Sequence, residues 1–96
     1  MADYKLSGQA EIDIAEMYES GIEMFGLSQA QDYMLQLHDL FETLADGPEL
    51  GRDASRYAPN LLRLNFKAHA VFYLPIEAGI LIVRVLGQRM DLEQQF

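Results

Sequence analysis

The chain has 96 residues, 50% of them hydrophobic and 23% charged, a globular balance that fits one small domain spanning residues 1–96. It has no cysteine and a net charge of −8, which excludes disulfides, thiolate metal sites and a cysteine nucleophile. The charge is unevenly spread: residues 1–50 hold Lys5 against eleven acids, whereas residues 51–96 hold six basic residues and four acids.

An acidic chain is poorly suited to non-specific binding of nucleic acid, which needs clustered Lys and Arg to displace counterions. The cationic second half still leaves room for a local basic patch. No basic region followed by an apolar run opens the chain, and no apolar stretch approaches the ~20 residues of a membrane span. The expected compartment is therefore the cytoplasm, with no membrane partner.

Residues 2–6 alternate around Tyr4 and Leu6 and read as a short strand. Ser7 stands where a helix N-cap belongs, with Glu11 and Asp13 in the early turns. Ala10, Ile14, Met17, Tyr18, Ile22 and Phe25 follow at helical spacing, with Glu16, Glu19 and Glu23 on the wet side. Ile12 breaks that acidic side, as a stray exposed side chain or as a partner contact. Gly26 is expected to end this helix in the left-handed conformation that only Gly adopts cheaply. Ser28 with Gln31 reads as a capping box starting a second helix. Ala30, Tyr33, Met34, Leu37, Leu40, Phe41 and Leu44 mark its buried face, and Gly47-Pro48 closes it. The short link implies an antiparallel helical hairpin.

Residues 47–59 carry Gly47, Pro48, Gly51 and Pro59 and read as a loop. Three extended segments follow. In 61–67, Leu62, Leu64 and Phe66 alternate with Arg63, Asn65 and Lys67, so Arg63 and Lys67 are expected on one face. Residues 69–74 are β-branched and aromatic. Pro75 and Glu77-Ala78-Gly79 supply a turn, and 80–86 is nearly all apolar, as in a strand covered on both faces. Gln88–Phe96 is a short polar tail. The expected fold is α+β: an N-terminal strand, then an antiparallel helical hairpin packed on a small sheet completed by a C-terminal three-stranded antiparallel meander.

No metal constellation, phosphate-binding glycine loop or nucleophile elbow is present, so no metal, cofactor or catalytic residue is assigned. His38 falls between Leu37 and Leu40 and reads as a helix-flank histidine. The carboxylates of the first helix read as a solvated face. What remains is a cationic set: Arg63, Lys67, His69, Arg84 and Arg89. Arg84 interrupts an apolar run, so it either pairs with a carboxylate of the helical layer or opens onto a functional groove.

The ordered pieces resemble the RelE/ParE toxin superfamily. They are Tyr4-x-Leu6-Ser7, Ala10-x-x-Asp13-Ile14, Tyr18, Phe25 to Ala30, Pro48 to Arg52, His69 to Tyr73, Ile82 to Leu86, and Gln88-Arg89-Met90-Asp91. The ParE branch fits best, over residues 4–91. The resemblance implies the toxin of a type II toxin–antitoxin pair, a poison of DNA gyrase neutralised by a ParD-like ribbon-helix-helix antitoxin. It further implies a heterotetramer or larger assembly on the antitoxin dimer.

The other branch, RelE-like ribonucleases that cut mRNA on the ribosome, uses sheet cations and a C-terminal tyrosine. Arg63 and Arg89 resemble two of those cations, but Leu61 and Ala70 stand where others would be, and the tail ends in Phe96. Loss of an arginine removes charge from a phosphorane-like transition state. Loss of the tyrosine removes a proton-transfer candidate. The residues expected to contact the target are Arg63, Arg84, Arg89, Met90, Leu92 and Phe96. The tail apolar residues also fit a packed C-terminal turn. The residues expected to contact the antitoxin are Ile12, Met17, Met24 and Leu27; methionines suit a groove that must repack, and equally fill a core.

Overall fold

The computed structural model describes residues 3–96, so Ala2 of the expected first strand lies outside the described residues. The elements run β1 (Asp3–Leu6), α1 (Gly8–Phe25), α2 (Leu27–Asp46), β2 (Arg52–Asp53), β3 (Leu62–Phe66), β4 (His69–Ile76), β5 (Gly79–Gly87) and α3 (Leu92–Gln95), with a single 3₁₀ turn at Pro48–Leu50. The strands form one five-stranded sheet in the order β1-β5-β4-β3-β2. The class is α+β, with the expected hairpin and meander.

α1 starts where its chemistry requires. The Ser7 hydroxyl accepts from the Ala10 N–H at 3.0 Å, satisfying one of the helix's free donors, and donates to the Val83 carbonyl at 2.7 Å, tying the cap to β5. Gly26 alone links the two helices. Its φ of 90° is positive, but its ψ of 162° corrects the expected left-handed cap, putting it in an extended region that essentially only glycine occupies. The one-residue link corrects the expected capping box. α2 begins at Leu27, so Ser28 is already inside the helix, and no side chain caps its start.

β5 is central, as its apolar run implies. β1 pairs with it in parallel, Leu6 opposite Ile82, and β4 pairs with it antiparallel. β4 continues through Pro75 to Ile76, past the expected end at Leu74, and the turn contracts to Glu77-Ala78. β3 stops pairing at Tyr73, so beyond that point β4 has no outer neighbour and the missing proline N–H breaks no ladder bond. β2, two residues long, emerges from the segment read as loop.

Both sheet faces are covered. On one, Val71, Tyr73, Ile80, Ile82 and Val85 meet Ala10, Leu37, Phe41, Leu44 and Ala45 of the hairpin. On the other, Ala70, Phe72 and Leu86 lie beneath Ala54 and Leu61, with Tyr57 and Leu92 packed against them. The second core explains the unbroken apolar character of β5: alternate residues are buried in different layers.

Candidate functional site

Two surfaces gather the residues singled out in the sequence. The first is a groove of about 630 Å³ between the helical hairpin and the adjoining ends of β4 and β5. Met17, Met24, Met34 and Met90 all line it, with Tyr33 and Val85 among its other apolar contributions and Asp13, Glu16, Lys67 and His69 among its polar ones. Met24 is 71% exposed, and Phe25 beside it is also exposed. Such a lining is broad, adaptable and apolar. Of the four expected antitoxin contacts, Met17 and Met24 reach this groove. Ile12 and Leu27 are exposed but lie outside its lining.

The second surface is the sheet face opposite the hairpin. The strand register aligns Arg52, Arg63, Phe72 and Arg84 in one row across four strands, and residues in such a row share a face. Phe72 is fully buried at the centre. The Arg63 guanidinium lies 5.5 Å above its ring, and Phe96 meets it edge-on at 4.9 Å. Tyr57 packs against both Phe72 and Phe96, and Arg56 lies over the Tyr57 ring at 5.1 Å. Leu92 is half-buried against the same core. The expected target contacts are thereby divided. Arg63, Leu92 and Phe96 meet on this face, whereas Met90 joins the methionines of the groove. Arg89 is exposed in the turn between them and makes none of the described hydrogen bonds or ion pairs.

Arg84 settles its two open readings in favour of pairing. Its guanidinium meets the Asp13 carboxylate side-on, Nε to Oδ2 at 2.8 Å and Nη2 to Oδ1 at 3.0 Å. Both side chains are nearly buried, and this hydrogen bond raises the arginine pKa above its already high ordinary value.

The cations do not converge. The alternation placing Lys67 beside Arg63 is overturned, because β3 ends at Phe66 and Lys67 turns through a φ of 53°. Its ammonium goes to the Gln36 side chain on α2 and sits 5.6 Å from the Tyr33 ring. His69 faces the same way, its Nδ1 2.7 Å from the Tyr33 hydroxyl. Burial lowers the histidine pKa and raises the tyrosine pKa, which favours the neutral form of both groups. His38 stands on α2 between the Tyr4 hydroxyl and Glu42, partly exposed. Leu61 and Ala70 are both fully buried in the second core.

A family profile described as "ParE toxin of type II toxin-antitoxin system, parDE" matches residues 4–92. The chain belongs to the ParE toxin family. Toxin ParE1 of Mycobacterium tuberculosis is 30% identical over 92 residues, covering 95% of this chain and 94% of that protein. Toxin ParE1 of Caulobacter vibrioides is 30% identical over 91 residues with the same coverage. A solved structure described as "Chromosomal ParDE TA system from P. aeruginosa" superposes with a TM-score of 0.76 at 16% identity, over 91% of this chain and 96% of that one. That likeness is one of fold.

Within this ParE-family framework, sequence reasoning missed Arg52, Arg56 and Tyr57 on the second face, and Phe25, Tyr33 and Met34 in the groove. Tyr33 and Met34 carried a signal, since both sit on the apolar stripe of α2, but that stripe equally describes core. Arg52 carried none: only the register of a two-residue strand puts it opposite Arg63. Among the described residues no cluster of His, Asp and Glu could hold a metal ion, and no helix is long and apolar enough to cross a membrane.

Proposed function

We propose that this ParE-family toxin is held inactive by a ParD-like ribbon-helix-helix antitoxin and, once released, poisons DNA gyrase without enzymatic chemistry of its own. The antitoxin segment folds on binding, laying an amphipathic helix in the methionine-lined groove. With Asp13 held by Arg84, Glu16 and Lys67 are the charged side chains of the lining left to pair with that segment, one of each sign. An antitoxin dimer then carries two toxins, in a heterotetramer or larger assembly.

The gyrase contact is assigned to the arginine–aromatic face and the tail: Arg63 with Arg52, Tyr57 and Phe96, extended by Arg89. Exposed arginine beside tyrosine and phenylalanine is the composition of an interface centre. Arg52 opposite Arg63 without a carboxylate between them favours an acidic strip on the partner. Leu92 supports this face from below, and Arg84 is committed to Asp13 rather than to the target.

The observation that carries the non-enzymatic reading is the burial of Leu61 and Ala70. Where a nuclease would gather cations around a phosphate, this chain has a closed apolar layer capped by Tyr57 and Phe96. Lys67 and His69 are turned to the hairpin side, and burial lowers the histidine pKa. Arg52, Arg56 and Arg63 stand around this layer, but His69, a proton-transfer candidate, lies on the other side of the sheet from them.

The test is a supercoiling assay with purified gyrase and relaxed plasmid. The chain is expected to block supercoiling, or to trap cleaved DNA, at near-stoichiometric amounts, with relief by the antitoxin. Unimpaired gyrase, together with mRNA cut by the chain on ribosomes, would overturn the reading.

A further inference from the structure

Arg84 has a second partner that the Asp13 pairing does not explain. The opposite edge of its guanidinium turns to the C-terminal segment: Nη1 donates to the Gln95 carbonyl at 2.9 Å and Nη2 to the Gln95 side-chain oxygen at 3.3 Å. One side chain thus joins α1, β5 and the tail. We propose that Asp13 and Arg84 form a positioning clasp, in which Asp13 orients the guanidinium and the guanidinium places the tail so that Phe96 sits on the arginine–aromatic face. This rests on the reading that the tail belongs to the gyrase contact.

The clasp arises from the way β5 loses its neighbour. β1 leaves β5 at Ile82, and the chain turns into α1. From there the outer edge of β5 has no strand beside it. α1 supplies the missing partners through side chains: the Ser7 hydroxyl reaches the Val83 carbonyl, and Asp13 Oδ2 accepts the Val85 N–H at 3.1 Å. A bulge lies at the same point. Tyr73 pairs with Ile82 and Phe72 with Arg84, which leaves Val83 as the extra residue on β5. Bulges re-aim the side chains beside them. Arg84 therefore shares its row with Phe72 on the second face yet reaches back around the sheet edge to α1.

The tail has few other anchors. None of the four residues of α3 is fully buried. The Glu93–Arg56 ion pair is 71% and 68% exposed at its two ends and is worth little in water. Leu92 is half-buried against the second core, and Phe96 remains 39% exposed on its aromatic neighbours. Among the described residues, Arg84 is thus the one nearly buried polar anchor of this segment. A planar fork is required, because a point charge cannot serve a carboxylate on one edge and a carbonyl on the other with fixed geometry.

The test uses Arg84→Lys, which keeps a cation for Asp13 and removes the second edge. The chain has no tryptophan, so Phe96→Trp supplies a single emission reporter for tail docking. Relative to F96W, the double variant F96W/R84K should show a red-shifted, more quenchable emission with an unchanged far-ultraviolet circular dichroism spectrum. In the natural sequence background, R84K should leave amide exchange at Val71 and Leu86 as slow as in the parent, while the amides of residues 92–96 exchange at least tenfold faster. Growth arrest on induction should fall at least tenfold, with antitoxin binding retained. Unshifted emission and unchanged tail exchange would overturn the clasp. A loosened tail with undiminished growth arrest would overturn its positioning role and leave the gyrase reading standing. If R84K does not fold, Asp13→Asn keeps the shape of the pair with less hold on the guanidinium. It must loosen the tail in smaller measure, and a tail as firm as the parent's would overturn the proposal.

Discussion

Tyr73 is the largest fully buried side chain in the molecule, and its hydroxyl works as a backbone strut. It donates to the Pro48 carbonyl at 2.6 Å and accepts from the Gly51 N–H at 2.8 Å, fastening the 3₁₀ turn to the sheet. Tyr73→Phe removes both bonds and leaves a partly buried donor and acceptor unpaired. We expect a loss of about 1–3 kcal/mol in urea unfolding; a change below ~0.5 kcal/mol, the scale of a neutral surface substitution, would refute the strut. His69 gives a pH prediction whose sign is fixed by its environment. Burial lowers its folded pKa below the ordinary 6.5, so the unfolded chain binds the proton more readily. Its contribution to stability is whole above about pH 6.5 and is lost as the pH falls below it. Between about pH 7.5 and 5.5 the parent should lose more stability than His69→Gln, and equal losses would contradict this. Single residues show where sequence reading stops. An arginine in an apolar run announces either pairing or exposure, and only the fold brings Asp13 within reach. Alternation misplaces Lys67 because it holds only while the strand lasts, and a positive φ ends the strand one residue early.

At the scale of elements, the helices and the meander were legible because their periods are strong and each apolar stripe meets one layer. The joints between them were not. β2 is too short for any pattern, and the parallel pairing of β1 with β5 depends on a chain reversal that no local signal records. Gly79 is the clearest such joint. Its φ is 146°, and a side chain there would run into the Asp3 carbonyl of β1. Gly79→Ala should therefore cost on the order of 2–4 kcal/mol, from backbone strain plus overpacking, and should loosen β1 before β4. Gly8 is the control, since a methyl group added there would meet nothing within 4 Å. Gly8→Ala should be neutral or slightly stabilising. Equal effects at the two positions in chemical denaturation would show that β1 does not press on this turn. The hairpin shows the same division. Its existence follows from two amphipathic stripes, whereas its one-residue link at Gly26 moves the start of α2 and leaves Ser28 without the capping role its neighbours suggest.

For the whole molecule, the division of charge along the chain becomes a division of surfaces. The acidic first half forms the hairpin and contributes Asp13 and Glu16 to the groove. Arg52, Arg56 and Arg63 from the second half gather on the opposite sheet face. On the proposed reading the antitoxin and the target take different surfaces, a methionine-lined groove of mixed charge and an arginine–aromatic face. The candidate residues were legible in the sequence as two sets, but their grouping was not. Met90 changes sides, because the turn at 87–91 carries the chain from the groove to the second face. Arg84 withdraws into the clasp. The central claim is that the chain stops growth through gyrase and not through RNA. Pulse labelling of DNA and protein synthesis after induction without antitoxin tests it most directly. DNA synthesis should stop early while translation continues, and an early stop in translation with cleaved mRNA would contradict the claim.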